Sequence, residues 1–202
     1  MSRRHFFLVG AQRSGTTYLY ELLDAHPEIE MARPLRPEPK FFLDDAYREI
    51  GRAGYEARFF DSDSDCLVRG EKSTSYIESE VAAQRIHEFY PEAKILFLLR
   101  EPLARAISNY RFSFGNGLES LSMTEALECE ADRRQDYDPS QVSTSPFAYL
   151  QRGHYIEYLE MYERVFSRES LHVMLHEDLV GGLRTIAELY AFLGVADDFV
   201  PP

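Results

Sequence analysis

Residues 6–23 read FFLVGAQRSGTTYLYELL and combine an apolar run, a glycine-flanked loop and a helical pattern in one short stretch. The apolar run at 6–9 predicts a buried strand, and the apolar residues spaced along 16–23 predict a helix. The loop at 10–15 therefore joins a strand to the N-terminus of a helix. Unpaired N–H groups and the positive end of the helix dipole favour an anion at that position.

The spelling of the loop, G-A-Q-R-S-G-T-T over residues 10–17, has the glycine spacing of the nucleotide-binding P-loop G-x-x-x-x-G-K-S/T. Thr16 stands where that motif has its lysine, and Arg13 places a cation inside the loop instead. An NTPase uses the lysine on the β- and γ-phosphates and the next hydroxyl on magnesium. The sequence therefore predicts an anion-binding loop with different chemistry, and an ordinary glycine-rich turn is the alternative.

The chain has 202 residues, 45% of them hydrophobic, and a formal net charge of −12. This length and composition predict a single domain over residues 1–202 with a sizeable core. The negative charge argues against a nucleic-acid partner and, more weakly, against a long polyanionic polysaccharide. Cys66 and Cys129 are too few and too far apart for a disulfide framework or a zinc site, so we expect reduced thiols.

The apolar run after Arg4 is too short for a secretory signal, and no other run approaches the length of a membrane span. We therefore expect a cytoplasmic protein without a transmembrane segment. The sequence carries no signature of its oligomeric state.

Strand and helix patterns alternate along the rest of the chain. Predicted strands cover residues 29–32, 67–70, 94–100 and 171–175, and predicted helices cover 46–60, 81–89, 103–112, 122–134, 146–166 and 183–193. The alternation predicts an α/β fold, a P-loop-like open and mostly parallel sheet with helices on both faces. Polar residues that follow strands, such as Lys72 and Arg100, are expected at its carboxyl edge, where such sheets keep their sites.

Residues 100–110, REPLARAISNY, are similar to R-x-P-x-x-R-x-x-S-x-Y, the signature with which sulfotransferases hold the 3′-phosphate of 3′-phosphoadenosine 5′-phosphosulfate (PAPS). E-P-K-F-F at 38–42 and E-K-S-T-S-Y at 71–76 resemble two segments of the heparan-sulfate-type and related bacterial sulfotransferases. Shorter matches follow at 153–155 and 192–195. The order and spacing of these motifs make nearly the whole chain resemble the PAPS-dependent sulfotransferase family.

The resemblance implies a donor site and a catalytic set. The expected donor-binding residues are Arg13, Ser14, Gly15, Thr16, Thr17, Arg100 and Ser108. The expected catalytic residues are Glu38, Arg13 and Lys72, with Glu38 taking the proton of an acceptor hydroxyl. Loop N–H groups and Arg13 would neutralise the leaving phosphate, so no metal ion is expected. The acceptor is expected to be a small metabolite, lipid or carbohydrate hydroxyl.

Two other interpretations stay open at this stage. A P-loop kinase would transfer a phosphoryl group with magnesium, although Thr16 replaces its lysine and the central strand ends in Arg100 rather than an aspartate. A non-catalytic nucleotide-binding module would bind the donor and transfer nothing. His154 is a competing candidate for the base.

Two expectations concern closure over the site. Residues 135–145 are polar and irregular, which is typical of a lid. The chain stops at Pro202, soon after the last predicted helix, whereas relatives continue with a segment that closes over the 3′-phosphate. We therefore expect that closing segment to be lacking.

Overall fold

The computed structural model describes residues 3–138 and 144–201, apart from the side chain of Leu183. The strands are β1 (Arg4–Gly10), β2 (Ile29–Met31), β3 (Val68–Lys72), β4 (Lys94–Leu99) and β5 (Leu171–Leu175). The helices are α1 (Thr16–Asp24), α2 (Tyr47–Phe59), α3 (Glu80–Phe89), α4 (Pro102–Gly115), α5 (Met123–Glu128), α6 (Glu130–Arg133), α7 (Tyr155–Glu163), α8 (His176–Gly181) and α9 (Leu183–Leu193). Short 3₁₀ turns lie at Phe41–Leu43, Tyr76–Glu78, Gln151–Gly153 and Arg168–Ser170.

The strands form one parallel sheet in the order β2-β3-β1-β4-β5. β1 lies in the middle, between β3 and β4, so the segments that follow these three strands meet at the carboxyl edge of the sheet. The α/β fold with a parallel sheet and helices on both faces is therefore confirmed. Ligand sites of open α/β sheets are found at this edge.

Alternate residues of the central strands face opposite sides of the sheet. Phe7 and Phe97 pack with α2, α3 and α7 on one face, whereas Leu8 and Leu96 pack with α1 and α9 on the other. All four side chains are fully buried. Burying a side chain of this size stabilises the fold by about 1.5–3 kcal/mol, and this core holds the carboxyl edge in place.

The helix predicted over 146–166 is wrong in its first half, because α7 begins only at Tyr155. The Glu130 carboxylate accepts hydrogen bonds from the backbone N–H groups of Leu150 and Gln151 at 2.6 and 2.8 Å. These two N–H groups therefore donate to a side chain of a distant helix instead of to the backbone carbonyl groups of a helix of their own. Nothing in the local pattern of apolar residues signals such a contact.

The helix predicted over 122–134 is interrupted at Cys129, whose φ of −91° and ψ of 4° separate α5 from α6. Its start is confirmed, since Ser122 and Glu125 form a capping box. Helix α8 is not among the predicted elements. Gly194 closes α9 in a left-handed conformation.

Both cysteines are free thiols. Across the residues that the structure describes, none of the helices has the length and apolar character needed to cross a bilayer. In the same part of the chain, His, Cys, Asp and Glu side chains nowhere gather in threes that are placed to hold a metal ion.

Candidate active site

The loop after β1 turns tightly at the carboxyl edge of the sheet. Arg13 and Gly15 both have left-handed backbone conformations, with φ of 68° and 89°. Gly15 immediately precedes α1, and the Nδ1 atom of His176 lies 2.6 Å from where a Cβ on Gly15 would stand. Glycine is therefore required here by both conformation and space. The first N–H groups of α1 point into the loop as a cradle for an anion.

The Arg13 side chain reaches from this loop to α4. Its Nε donates to the hydroxyl of Ser108 at 3.3 Å, and its guanidinium lies 4.7 Å from the centre of the Phe112 ring. Burial lowers the pKa of Arg13, and the nearby charges of Arg100 and Arg36 lower it further. Because a guanidinium keeps its proton in proteins, this crowding concentrates positive charge beside the loop.

Arg100 directly follows β4, and its Nη1 donates to the carbonyl oxygen of Arg13 at 3.4 Å. An open cavity of about 510 Å³ lies here, lined by Arg13, Arg100, Ala104, Ile107, Ser108, Arg111 and Phe112. In residues 3–138 and 144–201, none of these three arginines has a carboxylate within salt-bridge distance. The cavity therefore offers positive charge that no carboxylate contacts directly among the described residues, which suits a phosphate.

Glu101 is next to Arg100 in sequence but does not neutralise it. Its two carboxylate oxygens accept hydrogen bonds from the N–H groups of Leu103 and Ala104 at 2.9 and 2.6 Å. Glu101 is thus the N-cap of α4, and Pro102 occupies the first helical position, where its missing N–H costs no hydrogen bond. This cap fixes the helix that carries Ser108.

Glu38 lies on the loop between β2 and the 3₁₀ turn at Phe41–Leu43. Lys72 donates to Glu38 Oε1 at 2.6 Å, and the N–H of Thr74 donates to Oε2 at 2.9 Å. The Thr74 hydroxyl lies 3.0 and 3.2 Å from the two oxygens. Since a carboxylate has about four lone-pair sites, Glu38 can accept one further donor.

An open cavity of about 380 Å³ brings the loop and the Glu38–Lys72 pair together. It is lined by Gln12, Arg13, Thr16, Thr17, Arg36, Glu38, Lys40, Lys72, Thr74, Ser75, Asn109 and Phe112. Arg13 and Phe112 line this cavity and the arginine-lined one, so the two are adjacent. The predicted residues Ser14 and Gly15 lie in the loop itself and line neither, and Ser14 is fully buried.

Thr74 has a larger part in the site than its sequence position suggested. The sulfotransferase segment that residues 71–76 resemble is E-K-S/T-P-x-Y, so Thr74 stands where that segment has a proline. A proline has no N–H, so Thr74 makes two hydrogen bonds to Glu38 that a proline cannot make. Arg36 and Asn109 also line the cavity, and sequence reasoning missed both. Arg36 could have been identified from the sequence as a site residue, because it is a cation beside the prolines of its loop. Asn109 could not, because a polar residue within a helix is not by itself a signal of a site.

His154, the competing candidate for the base, lies outside both cavities. Its side chain is 57% exposed, and its Nδ1 lies 3.2 Å from a carboxylate oxygen of Glu157. The geometry therefore favours Glu38 over His154.

The predicted lid, residues 135–145, lies partly outside the described residues, because 139–143 are not among them. At the C-terminal end of this segment, Gln12 of the loop after β1 donates to the hydroxyl of Thr144 at 2.9 Å. This bond links the loop to the end of the segment.

Comparisons with known proteins agree with this geometry. The family model for the sulfotransferase domain matches residues 3–199. Human heparan sulfate glucosamine 3-O-sulfotransferase 6 is 29% identical over 201 residues, which cover 98% of this chain and 53% of that protein. This chain thus spans about half the length of the curated relatives it matches.

Solved structures agree as well. A sulfotransferase from Alicyclobacillus acidocaldarius is 33% identical with a TM-score of 0.83, and the match covers 100% of this chain and 85% of the other. Mouse sulfotransferase SULT7A1, solved with PAP, shares the fold at 17% identity and a TM-score of 0.60, covering 96% of this chain and 59% of the other. Because the family model spans residues 3–199 and the overall fold matches that of a solved sulfotransferase, this chain belongs to the sulfotransferase domain family.

Proposed function

We propose that this chain transfers a sulfuryl group from PAPS to an acceptor hydroxyl. The observation that carries the proposal is the shared cavity, in which an anion-binding loop and the Glu38–Lys72 pair face the same space. Sulfuryl transfer needs the donor held in line with the acceptor, charge stabilisation on the leaving phosphate, and a base. Family membership supports the same reaction.

In this proposal the 5′-phosphosulfate lies against the loop formed by Arg13, Ser14, Gly15, Thr16 and Thr17. The 3′-phosphate lies in the adjoining cavity, where it meets Arg100 and Ser108. An arginine forms two parallel hydrogen bonds to a phosphate, so Arg100 favours a nucleotide that carries the 3′-phosphate. The absence of carboxylate partners for Arg13 and Arg100 in the described part of the chain supports both placements.

The acceptor oxygen attacks the sulfur atom of the donor. The new O–S bond forms as the bond from sulfur to the bridging phosphate oxygen breaks, and that electron pair leaves with the phosphate. Glu38 takes the proton from the acceptor hydroxyl, while Lys72 and Thr74 hold its carboxylate in place. Arg13 and the loop N–H groups stabilise the charge on the leaving phosphate.

Donor binding is tested with adenosine 3′,5′-bisphosphate (PAP), the product that the donor leaves behind. At about one hundred times its Kd, PAP should stabilise the folded chain by about 2.7 kcal/mol, without magnesium. Arg100→Ala should remove most of this effect in a thermal-shift assay. Arg168→Ala is the control, since Arg168 precedes β5 at the opposite edge of the sheet. Stabilisation by Mg-ATP alone would instead support the kinase interpretation.

Transfer is tested with Glu38→Gln, after a screen with sulfur-labelled donor has found an acceptor. Loss of a general base lowers kcat by roughly 100-fold to 10,000-fold, and PAP binding should be retained. Glu169→Gln, another residue before β5, should change neither quantity. An unchanged kcat in Glu38→Gln contradicts its role as the base. PAP binding without transfer to any acceptor would support a non-catalytic module.

Some sequence-based predictions stay predictions. These are the single domain over 1–202, the cytoplasmic location, and the choice among small-metabolite, lipid and carbohydrate acceptors. The net charge of −12 supports an acceptor smaller than a long polyanion.

A further inference from the structure

The segment E-K-S-T-S-Y at 71–76 begins in β3, which ends at Lys72, and continues into a turn in which the Tyr76 N–H donates to the Ser73 carbonyl oxygen at 3.0 Å. Lys72 and Thr74 face the cavity and bond to the Glu38 carboxylate. Glu71 points the other way, into the core, and is 1% exposed. The side of this segment that faces away from the donor therefore carries a buried carboxylate that the proposed reaction does not use.

Three hydroxyl groups surround the Glu71 carboxylate. Ser73 Oγ donates to its Oε1 at 2.6 Å, the Tyr55 hydroxyl donates to its Oε2 at 2.7 Å, and the Tyr76 hydroxyl lies beside it. Burial raises the pKa of Glu71, and these hydrogen bonds act in the opposite direction. Because burying a carboxylate is costly, hydroxyl bonding on this scale indicates a specific role for the charge.

Two of the three hydroxyls also hold the segment that carries Glu38. The backbone N–H of Lys40 donates to Ser73 Oγ at 2.9 Å, and the N–H of Phe42 donates to the Tyr76 hydroxyl at 3.0 Å. A hydroxyl has one proton and two lone pairs. The Ser73 proton is directed at Glu71, and the Tyr76 hydroxyl lies beside the same carboxylate, so each hydroxyl turns a lone pair toward the backbone amide. The carboxylate thus orients both hydroxyls as acceptors for this segment.

We propose that Glu71, Ser73 and Tyr76 are positioning residues that hold the segment 38–42 against β3, so that the Glu38 carboxylate meets both Lys72 and the cavity. This inference rests on the proposed function, in which Glu38 is the base. One motif then does two tasks, since its outward side chains orient the carboxylate and its inward side chains fix the backbone that carries it. A displacement of about 1 Å at a reacting group costs on the order of 100-fold in rate.

The chain offers a matched pair of variants for the test. Tyr55 and Tyr76 are both fully buried, both pack against the ring of Phe42, and both place a hydroxyl beside the Glu71 carboxylate. Of the two, Tyr76 is the one whose hydroxyl accepts a hydrogen bond from a backbone N–H of the segment 38–42, that of Phe42. Tyr55→Phe and Tyr76→Phe therefore remove the same group from the same carboxylate and keep both rings, but one change alone releases the segment.

Hydrogen exchange measured by mass spectrometry tests the contact without an acceptor. The peptide that contains residues 38–43 should exchange faster in Tyr76→Phe and in Ser73→Ala than in the wild type, whereas Tyr55→Phe should exchange at the wild-type rate. Ser73→Thr keeps the hydroxyl and should restore slow exchange. Equal exchange in Tyr55→Phe and Tyr76→Phe would overturn the proposal, and Ser73→Ala gives the same test if Tyr76→Phe does not fold.

Kinetics then test the positioning role. Tyr76→Phe and Ser73→Ala should lower kcat by about tenfold or more and leave PAP affinity unchanged, because the donor-binding loop is not altered. Tyr55→Phe should keep the wild-type kcat, and Ser73→Thr should recover most of it. Faster exchange with unchanged kcat would overturn the positioning role. If Glu38→Gln keeps its activity, the role of Glu38 as the base fails instead, and the exchange experiment still reports on the contact.

Discussion

At the scale of single residues, Gly15 determines whether the anion-binding loop can form. Its left-handed φ of 89° disfavours any side chain, and His176 occupies the space that a Cβ would need. Gly117 has a similar φ of 70°, but no atom lies within 4 Å of where its Cβ would stand. The two glycines thus share a left-handed backbone conformation, and only Gly15 has a neighbouring atom where a Cβ would stand.

Gly15→Ala should lower the free energy of unfolding by about 1–2 kcal/mol from the left-handed backbone, and the contact with His176 adds to this cost. It should also abolish PAP binding, because the loop has to shift to admit the methyl group. Gly117→Ala should show a similar backbone cost and bind PAP normally. Calorimetric titration and urea unfolding measure both quantities, and intact PAP binding in Gly15→Ala would contradict the assignment of the loop.

At the scale of elements, α4 links the two ends of the proposed donor site. Arg100 precedes the helix, Ser108 lies within it, and Glu101 caps its first turn. The stability of this first turn therefore bears on donor binding. Helix α5 has an equivalent cap in Ser122, away from both cavities.

Glu101→Ala should destabilise the fold by about 1 kcal/mol through loss of the cap. PAP binding can weaken by at most the free energy lost with the cap, so PAP affinity should fall by up to roughly fivefold. Ser122→Ala should cost a similar free energy of unfolding with no change in PAP affinity. Equal affinities in the two variants would show that the α4 cap does not position Arg100 and Ser108.

At the scale of the whole molecule, the pH dependence of stability reflects groups buried in the fold. Burial lowers the pKa of His5 to about 4 from 6.5, against an opposing effect of Glu56. Between pH 6.5 and 4 the unfolded chain binds a proton that the folded chain does not. The contribution of His5 to stability therefore falls as the pH falls through this window.

His5→Phe should make the free energy of unfolding depend less on pH between 6.5 and 4. At about 1.4 kcal/mol per unit of pKa difference, the wild type should lose on the order of 3 kcal/mol through His5 by pH 4. The new ring keeps the contacts with Tyr90 and Phe60. Glu71 acts with the opposite sign, since burial raises its pKa, so the comparison of the two proteins isolates His5. Urea unfolding across this pH range measures the slopes, and equal slopes would contradict the prediction.

Local patterns were enough to predict the sheet, most of the helices and the tight loop between β1 and α1. The buried runs at 6–9 and 94–99 became the two central strands because continuous apolar residues need cover on both faces. The glycine spacing of the loop, and Pro102 at the start of α4, are signals that act within a few residues of one another. Their outcome therefore depends little on the rest of the chain.

Contacts between distant segments account for the features that local patterns did not predict. The late start of α7 follows from the Glu130 carboxylate, and the bonds of Thr74 to Glu38 join residues 36 apart in sequence. The bond from the Phe42 amide to Tyr76 likewise spans 34 residues. Periodicity and turn chemistry describe how a segment folds on itself, whereas hydrogen bonds inside a low-dielectric core depend on which segments the sheet brings together. The two tasks of the 71–76 segment became visible only once β3 lay beside the loop that carries Glu38.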